Sequence, residues 1–344
     1  MRALTFVEGG TVEWREAEEP RVSAPGQAIV RPLAVASCDL DQAIVHGGAP
    51  FPGPFTLGHE FVARVTEVGD AVDAAAPGDL VVVPFQVSCG ECARCRAGQT
   101  ASCHDGGMYG IGAAGGDRGG ALSDAVLIPF ANAMLIPAPE GVSPLALASA
   151  SDNVSDAWRT VSPALEDAFG ARVLVLAGRG ANSIALYAVQ HAAAAAAEAV
   201  EVLTTNERTA REARELGAEA THLDAWPEVH GRHDVVVDSA NDPKGLACAL
   251  RSLRGEGVCT SVSIYFGGDV AVPMLDLYLK GATLRTGRVN SRTVLPAVLE
   301  AIESGRIDPR LVTSETVAWE DAAEAILSYT TKLIVHRELD GPAE

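Results

Sequence analysis

The chain has 344 residues, of which 48% are hydrophobic and 21% are charged, and this length allows two domains with separate cores. Its formal net charge of −19 argues against nucleic acids and anionic membrane surfaces as partners, because phosphate binding requires clustered lysine and arginine. No apolar run of about 18 residues occurs, so no transmembrane helix is expected. The opening residues run directly into a strand-like segment, so no secretory leader is expected. With seven cysteines, such a chain is expected to be reduced and cytoplasmic.

The first 150 residues are rich in short strands separated by glycine and proline turn signals. The predicted strands are Ala3–Val7, Ala28–Leu33, Glu60–Val68, Leu80–Pro84 and Ala125–Ile128. This pattern predicts a compact domain resembling a β-barrel. A glycine-dense stretch from Gly106 to Gly120 has two interpretations, a flexible linker or a long irregular connection packed beside a site.

Four cysteines follow C-x2-C-x2-C-x7-C spacing, which is typical of a metal site: Cys89, Cys92, Cys95 and Cys103. Four thiolates bind Zn²⁺ tetrahedrally and leave no open position, so this set predicts a structural zinc. A disulfide set suits a short secreted domain, and an iron–sulfur cluster is the weaker alternative because the spacing resembles ferredoxin runs only loosely. Of the remaining cysteines, Cys248 and Cys259 are expected to be small core residues.

From Ser151 onward, strands and helices alternate, which predicts βαβ units and an open, doubly wound parallel sheet. The predicted strands are Val173–Ala177, Val200–Thr204, Asp234–Asp238 and Val258–Ile264. The predicted helices are an alanine-rich one containing Ala192–Ala197, then Arg208–Leu216, Val294–Ser304 and Trp319–Tyr329.

The first strand of this alternating region leads into a glycine turn that can hold a dinucleotide. The turn contains Gly178, Gly180, Ala181, Asn182 and Ser183. Glycines at a strand-to-helix turn let backbone N–H groups approach a pyrophosphate at the positive end of the helix dipole. Ser183 stands where a third glycine is usual, and its small side chain is compatible with close packing of helix on strand.

The end of the second predicted strand is expected to distinguish NAD from NADP. An Asp or Glu about 20 residues after the glycine turn would hold the adenosine ribose of NAD, but Thr204 occupies this position. Thr204, Thr205 and Arg208 can instead bind a 2′-phosphate, so NADP is the preferred expectation and NAD the alternative.

Further metal-binding side chains lie in three short segments, at Cys38, at His59-Glu60 and at Asp152. Each has an ordinary explanation singly, since lone buried cysteines and histidines are usually core residues. A catalytic zinc, however, needs three protein ligands and one open position, and it accepts N, S and O donors.

Together these motifs resemble the zinc-dependent medium-chain alcohol dehydrogenases over nearly the whole chain. The resemblance rests on Gly58-His59-Glu60, on the spaced stretch from Val68-Gly69 through Gly78-Asp79 to Val83, on the four-cysteine lobe, and on the cofactor loop with Gly217-Ala218 after it. It implies a GroES-like barrel-type domain and a Rossmann domain.

The resemblance also implies roles for the individual site residues. Cys38, His59 and Asp152 would be the catalytic zinc ligands. Glu60 would either exchange onto the metal or lie in the shell of residues around its ligands. Asp41 would orient the ligand histidine. With aspartate as its third donor, this ligand set resembles that of the microbial secondary-alcohol members of the family.

The chain departs from the family where the alcohol proton is usually relayed outward. Leu40 and Ala43 replace the usual hydroxyl and histidine, and neither can carry a proton. Asp156 replaces the usual threonine near the nicotinamide. These changes leave the metal ligands intact and alter the relay route and the substrate class.

The combined expectation is an oxidoreductase with two zinc ions per subunit and NADP or NAD, which interconverts a small alcohol and an aldehyde or ketone. Residues 1–152 would form the catalytic domain with a zinc lobe at 86–105, residues 153–289 the dinucleotide domain, and residues 290–344 a return to the catalytic domain. A homodimer or homotetramer is expected. The alternatives are a reductase of the same fold with only structural zinc, and a non-enzymatic zinc-binding module.

Overall fold

The structure is a computed structural model that describes residues 1–166 and 170–338. Its strands are β1 Arg2–Glu8, β2 Thr11–Glu16, β3 Ala28–Ala36, β4 Phe55–Thr56, β5 Glu60–Val68, β6 Leu80–Val83, β7 Gln86–Val87, β8 Gly107–Met108, β9 Val126–Ile128, β10 Ile136–Pro137, β11 Arg172–Ala177, β12 Ala199–Thr204, β13 Glu219–His222, β14 His233–Ser239, β15 Leu253–Ser261, β16 Thr283–Arg285, β17 Glu315–Ala318 and β18 Leu333–His336.

The α-helices are α1 Asp39–Val45, α2 Ala93–Arg96, α3 Ala131–Met134, α4 Pro144–Leu147, α5 Ser155–Leu165, α6 Ser183–Ala194, α7 Glu207–Glu215, α8 Pro243–Arg251, α9 Met274–Lys280, α10 Ser291–Glu303 and α11 Ala322–Ala325. Short 3₁₀ turns occur at Thr100–Ser102, Gly112–Gly115, Pro309–Leu311 and Trp319–Asp321, and a π-helical turn at Ala150–Val154. None of the helices in the described ranges is long and apolar enough to cross a bilayer.

The chain forms two compact units, one made of residues 1–155 with residues from Val289 onward and the other of residues 156–288. In the first unit the main sheet has the order β10-β6-β5-β3-β18-β17, and β9 also pairs with β3. Strand β18 runs antiparallel to β3, with Ile334 opposite Ala36, so the C-terminal part of the chain returns to the sheet of the N-terminal part.

The second unit is a six-stranded parallel sheet in the order β13-β12-β11-β14-β15-β16. Counted from its own first strand this is the order 3-2-1-4-5-6 of dinucleotide-binding sheets. Residues Val173 to Ala177 of β11 are fully buried, which explains why that strand is a continuous apolar run rather than an alternating one. The α/β class and the parallel sheet predicted from the sequence are confirmed.

Two predicted helices are shorter than the sequence indicates. The alanine-rich helix α6 ends at Ala194, and Ala196 has a left-handed φ of +55° because the chain turns there to enter β12. The helix predicted at Trp319–Tyr329 is a 3₁₀ turn followed by the four residues of α11. After Ala325 the backbone bonds tighten to three-residue spacing, from Leu327 N to Glu324 O and from Ser328 N to Ala325 O, which ends the α-helix.

Candidate metal centre and nucleotide loop

Cys38 lies at the corner between β3 and α1, where it is the N-terminal cap of the helix. Its backbone N–H donates to Asp41 Oδ2 at 2.8 Å, and its Sγ accepts the N–H of Leu40 at 3.4 Å. Cys38 and Asp41, the third residue of the helix, bond each other reciprocally, which is a capping box with a thiol as the cap. The capping box therefore fixes the positions of both Cys38 and Asp41 before any metal binds.

His59 is placed by a glycine corner that precedes β5. Gly58 has a φ of +92°, and a Cβ on it would lie 2.8 Å from the backbone N of Leu122. A Cβ on Gly110 would lie 2.7 Å from the carbonyl oxygen of Gly58. The glycine-dense stretch therefore packs against the segment that precedes His59, and the linker interpretation is wrong because these glycines allow close contact between backbones.

Asp152 projects from the π-helical turn Ala150–Val154, which continues into α5. The N–H of Val154 donates to Ser149 O at 3.2 Å, and the hydroxyl of Ser155 donates to Ala150 O at 2.7 Å. The first of these is a backbone bond that spans five residues, the spacing of a π-bulge, which occurs often at functional sites. The turn carries Asp152 and the adjacent Asn153, both buried.

Ligand atoms of four buried side chains lie within 4.8 Å of one another, those of Cys38, His59, Glu60 and Asp152. His59 Nε2 is 3.3 Å from Asp152 Oδ2, while its Nδ1 is 3.5 Å from Asp41 Oδ1. One ring nitrogen therefore faces the candidate ligand set, and the other faces the carboxylate that the resemblance gave as its orienting partner.

Glu60 has a second, closer partner in Lys332. Lys332 Nζ donates to both carboxylate oxygens of Glu60 at 2.9 Å and to Asn153 Oδ1 at 2.7 Å. Both charged side chains are completely buried. Sequence reasoning missed Lys332, because a lone lysine before an apolar strand carries no local signal of its partner.

The electrostatics of this cluster fit a divalent cation. Burial raises the pKa of Cys38 well above its usual value, and Asp152 and Glu60 raise it further. Burial also raises the pKa of Glu60 to about 8, although Lys332 opposes the shift. For His59, burial alone would lower the pKa, but Asp41 and Asp152 outweigh it and raise it to about 9. A divalent cation would favour the ionised forms of these buried donors, and N, S and O donors together suit zinc.

The residues at the usual relay positions lie near Cys38 on α1, and the exposed His46 follows the helix. The ring of His46 stacks on Tyr329 with centroids 4.0 Å apart. His46 is therefore a surface residue.

The four cysteines predicted to bind a structural zinc form a lobe around α2. Their Sγ atoms also lie within 4.8 Å of one another, and none of the seven cysteines is in a disulfide. Backbone N–H groups point at the sulfurs, from Cys89 to Cys103 Sγ at 3.3 Å and from Cys92 to Cys89 Sγ at 3.4 Å. Backbone N–H groups of His104 and Cys95 lower the pKa of Cys92 to about 6, so this thiol is prepared for the thiolate form that zinc requires.

The lobe is attached to the start of α10. The N–H of Ala101 donates to Asn290 Oδ1 at 3.0 Å, and the hydroxyl of Thr293 donates to Gly98 O at 2.8 Å. The hydroxyl of Ser291 in turn donates to Ser151 O, in the π-helical turn. A short chain of contacts therefore links the four-cysteine lobe to the residue before Asp152.

In the second unit, the glycine turn lies between β11 and α6, as predicted. A Cβ on Gly178 would lie 2.1 Å from Ala240 O, whereas nothing lies within 4 Å of a Cβ on Gly180. The buried Asn182 amide donates to Gly178 O at 2.8 Å and Gly180 O at 3.0 Å. Ser183 is fully buried at the first position of α6, so serine does allow the close packing for which glycine is usual.

The end of β12 lies beside this turn. The Thr205 N–H donates to Ala177 O at 3.2 Å, and the Asn206 side chain donates to Gly180 O at 3.1 Å. Thr204 is fully buried, and its hydroxyl accepts the N–H of Asn206 at 3.0 Å, so the geometry does not support its predicted contact with a cofactor phosphate. Thr205 and Arg208 are partly exposed.

Two family models match the chain. Residues 24–140 match an alcohol dehydrogenase GroES-like domain, and residues 183–304 match a zinc-binding dehydrogenase domain. The chain belongs to the zinc-dependent medium-chain dehydrogenase family.

Relatives of this dehydrogenase match it along nearly its full length. A protein of Mycobacterium tuberculosis named "probable zinc-binding alcohol dehydrogenase" is 27% identical over 330 residues, covering 94% of this chain and 84% of the relative. The alcohol dehydrogenase TADH of Thermus sp. ATN1 has a TM-score of 0.91 and 28% identity, covering 98% of this chain and 100% of that one.

A Sinorhizobium meliloti structure solved with NADP has the same fold, with a TM-score of 0.82 and 23% identity over 97% of this chain and 98% of that one. These matches confirm the predicted GroES-like and Rossmann-type fold and an oxidoreductase of the zinc-dependent alcohol dehydrogenase family.

Proposed function

We propose that this dehydrogenase oxidises a primary or secondary alcohol to an aldehyde or ketone, with NADP or NAD as hydride acceptor, and catalyses the reverse reduction. The observation that supports this most is the buried set of Cys38, His59 and Asp152, whose ligand atoms lie within 4.8 Å of one another. A protein that uses zinc only structurally has no need for a second cluster of buried donors.

We further propose that Cys38, His59 and Asp152 hold one zinc and that Cys89, Cys92, Cys95 and Cys103 hold the other. When bound, the first ion supplies Lewis-acid chemistry that lowers the pKa of an alcohol hydroxyl, and the nicotinamide supplies the hydride chemistry. Asp41 faces His59 Nδ1 at 3.5 Å and thereby directs Nε2 toward the ligand set. Leu40 and Ala43 cannot carry a proton, so we assign the proton's exit to ordered water, with a nearby carboxylate as the alternative and Glu60, Asp39 and Asp156 as its candidates.

Residues 1–152 and 290–344 are proposed as the catalytic domain, and residues 153–289 as the cofactor domain. The division into compact units after Ser155 and Arg288 supports this assignment, although residues 339–344 lie outside the described part of the chain.

The test of the reaction is the absorbance of reduced nicotinamide with a panel of primary and secondary alcohols, before and after treatment with a chelator. Turnover that falls with removal of zinc and returns with its addition is the expected result. Turnover of carbonyl substrates that is unchanged by loss of the zinc proposed at Cys38, His59 and Asp152 would identify a reductase with structural zinc only and contradict the proposal.

NADP should be used at least as well as NAD, because no carboxylate at the end of β12 repels a 2′-phosphate. Thr205 and Arg208 are the proposed phosphate contacts. Arg208 is partly exposed, and its Nε lies 3.9 Å from Oε1 of Glu212 on the same helix. Arg208→Ala should lower kcat/KM for NADP about tenfold, the equivalent of about 1.4 kcal/mol, and leave NAD within twofold.

The matched control is Arg211→Ala, which removes an exposed arginine from the same helix. It should change neither cofactor's kcat/KM. A preference of the parent protein for NAD above about tenfold would reject the assignment.

The dehydrogenase is proposed to form a homodimer through α9. Four large apolar side chains of this helix are 66% to 82% exposed, those of Met274, Leu275, Tyr278 and Leu279. Contiguous exposed apolar residues mark interaction sites, and the adjacent strand β16 is the edge of the parallel sheet.

Leu275→Arg should convert the oligomer to a monomer, since it buries an unpaired charge in the proposed interface. Light scattering during size-exclusion chromatography measures the mass. Leu311→Arg is the control, because Leu311 is similarly exposed, at 66% against 70% for Leu275, but lies in the other unit. If Leu275→Arg remains a dimer, the interface lies elsewhere than at α9.

A further inference from the structure

Asn153 contacts three other side chains of the candidate zinc site. Its Nδ2 donates to Cys38 Sγ at 3.3 Å and to Asp152 Oδ2 at 3.2 Å, and its Oδ1 accepts from Lys332 Nζ at 2.7 Å. The residue is fully buried. One amide therefore contacts two proposed metal ligands and the cation that is paired with Glu60.

The orientation of this amide is fixed by chemistry. An ammonium group has donors only, so Lys332 must face the carbonyl oxygen of the amide. The NH₂ group is then directed toward the thiol sulfur and the carboxylate, both of which accept hydrogen bonds. A flipped amide would place its NH₂ group against the ammonium and its oxygen against the carboxylate.

Lys332 explains why the amide matters for Glu60. Its ammonium has three donors, and Glu60 Oε1, Glu60 Oε2 and Asn153 Oδ1 accept them. A fully buried ammonium is tolerated only while it is paired and hydrogen-bonded. If Glu60 moved onto a metal, Lys332 would lose the carboxylate that accepts two of its hydrogen bonds, so the lysine holds Glu60 away from the metal.

We propose that Asn153 is a positioning residue of the zinc site, which holds Cys38 and Asp152 in ligating geometry and anchors Lys332 so that Glu60 stays off the metal. This inference rests on the proposed catalytic zinc. The site would then have three protein ligands and one open position for substrate.

The first measurement is the affinity of the site for zinc, by competition with a chromophoric chelator, in the parent protein and in Asn153→Leu. Loss of the amide should weaken zinc binding about 10- to 100-fold, as is typical when a group that orients a metal ligand is removed. The four-cysteine zinc should be unaffected. Ser149→Ala is the matched control, because Ser149 is buried in the same segment and its hydroxyl is outside this network.

The second measurement separates positioning from packing. Cobalt is exchanged for zinc until analysis gives one ion of each per chain, and its sulfur-to-metal absorption band is assigned by its loss in Cys38→Ala. An N–H donor to the sulfur lowers the energy of its lone pairs, so losing Asn153 Nδ2 should move the band to longer wavelength. Asn153→Asp is the second variant, because it keeps the size of the side chain and its acceptor for Lys332 but loses the N–H donor.

A shifted band in Asn153→Asp, or in Asn153→Leu if that variant folds, with no shift in Ser149→Ala, is the expected result. Zinc affinity within twofold of the parent and an unshifted band in a folded Asn153 variant would show that Asn153 only fills space. A parent protein that binds one zinc per chain would overturn the proposed function as well, whereas a parent with two zincs and unaffected variants would overturn this inference alone.

Discussion

His59→Ala should lower kcat for alcohol oxidation by about 10³-fold and reduce the zinc content from two ions per chain to one. Loss of the ligand removes Lewis-acid stabilisation of several kcal/mol, and about 4 kcal/mol corresponds to a factor of about 10³ in rate. His59 is 2% exposed with its Nε2 directed at Asp152, so no solvent-exposed group can replace it. Steady-state kinetics and metal analysis of the same preparation measure both effects.

His46→Ala is the matched control, because it removes an exposed imidazole that stacks on Tyr329. It should retain both zincs and stay within a few-fold of the parent kcat if water carries the proton. A loss of about a hundredfold with zinc retained would show that His46 is the proton relay, since general acid–base groups contribute about 10²–10⁴-fold. Two zincs in His59→Ala would contradict the proposed ligand set.

Cys103→Ser should destabilise the protein so strongly that it aggregates or melts at least about 10 °C below the parent. Structural zinc sites contribute about 10–16 kcal/mol of binding free energy in small peptides, and this energy is available to folding only when all four ligands are present. Even a loss of about 5 kcal/mol would lower the melting temperature by at least about 10 °C, at about 2–4 °C per kcal/mol. Differential scanning calorimetry and metal analysis are the measurements.

The control is Cys248→Ser, a buried cysteine outside both metal-binding groups. It should keep two zincs and lower the melting temperature by much less. The lobe contacts Asn290 and Thr293 of the α10 region, and Ser291 contacts Ser151. We therefore expect any folded Cys103→Ser protein also to bind the zinc at Cys38, His59 and Asp152 more weakly. A stable Cys103→Ser protein with full zinc content would refute the structural site.

Much of the fold was predictable because its signals are local. Residues that are close together in the chain carry three of these signals. They are the strand-and-glycine pattern at Gly178, the cysteine spacing and the alternation of strands and helices. The alanine run at 192–197 gave a wrong end for helix α6, because that end depends on a contact between residues in different elements. Alanine favours helix intrinsically, but the return of the chain to β12 ends α6 at Ala194.

The missed parts of the site depend on distant residues. Lys332 is 272 residues from Glu60 and 179 residues from Asn153 along the chain, so their contacts exist only after β18 has paired with β3. Thr204 was misjudged because strand-end position predicts nearness to a cofactor but does not reveal that the hydroxyl turns inward to bond Asn206. Side-chain direction is a tertiary property that the sequence pattern did not reveal.

The π-helical turn makes the candidate site sensitive to chain length as well as to side-chain identity. A turn closed by five-residue hydrogen bonds holds one more residue than an α-helical turn, and here that extra residue lies within Ala150–Val154. Deleting a single codon there would restore regular α-helical spacing and rotate the preceding residues by about 100° relative to α5. The helix would survive such a deletion, but Asp152 and Asn153 could no longer both face Cys38. In-frame insertions and deletions in this turn should therefore be as harmful to zinc binding as substitution of a ligand.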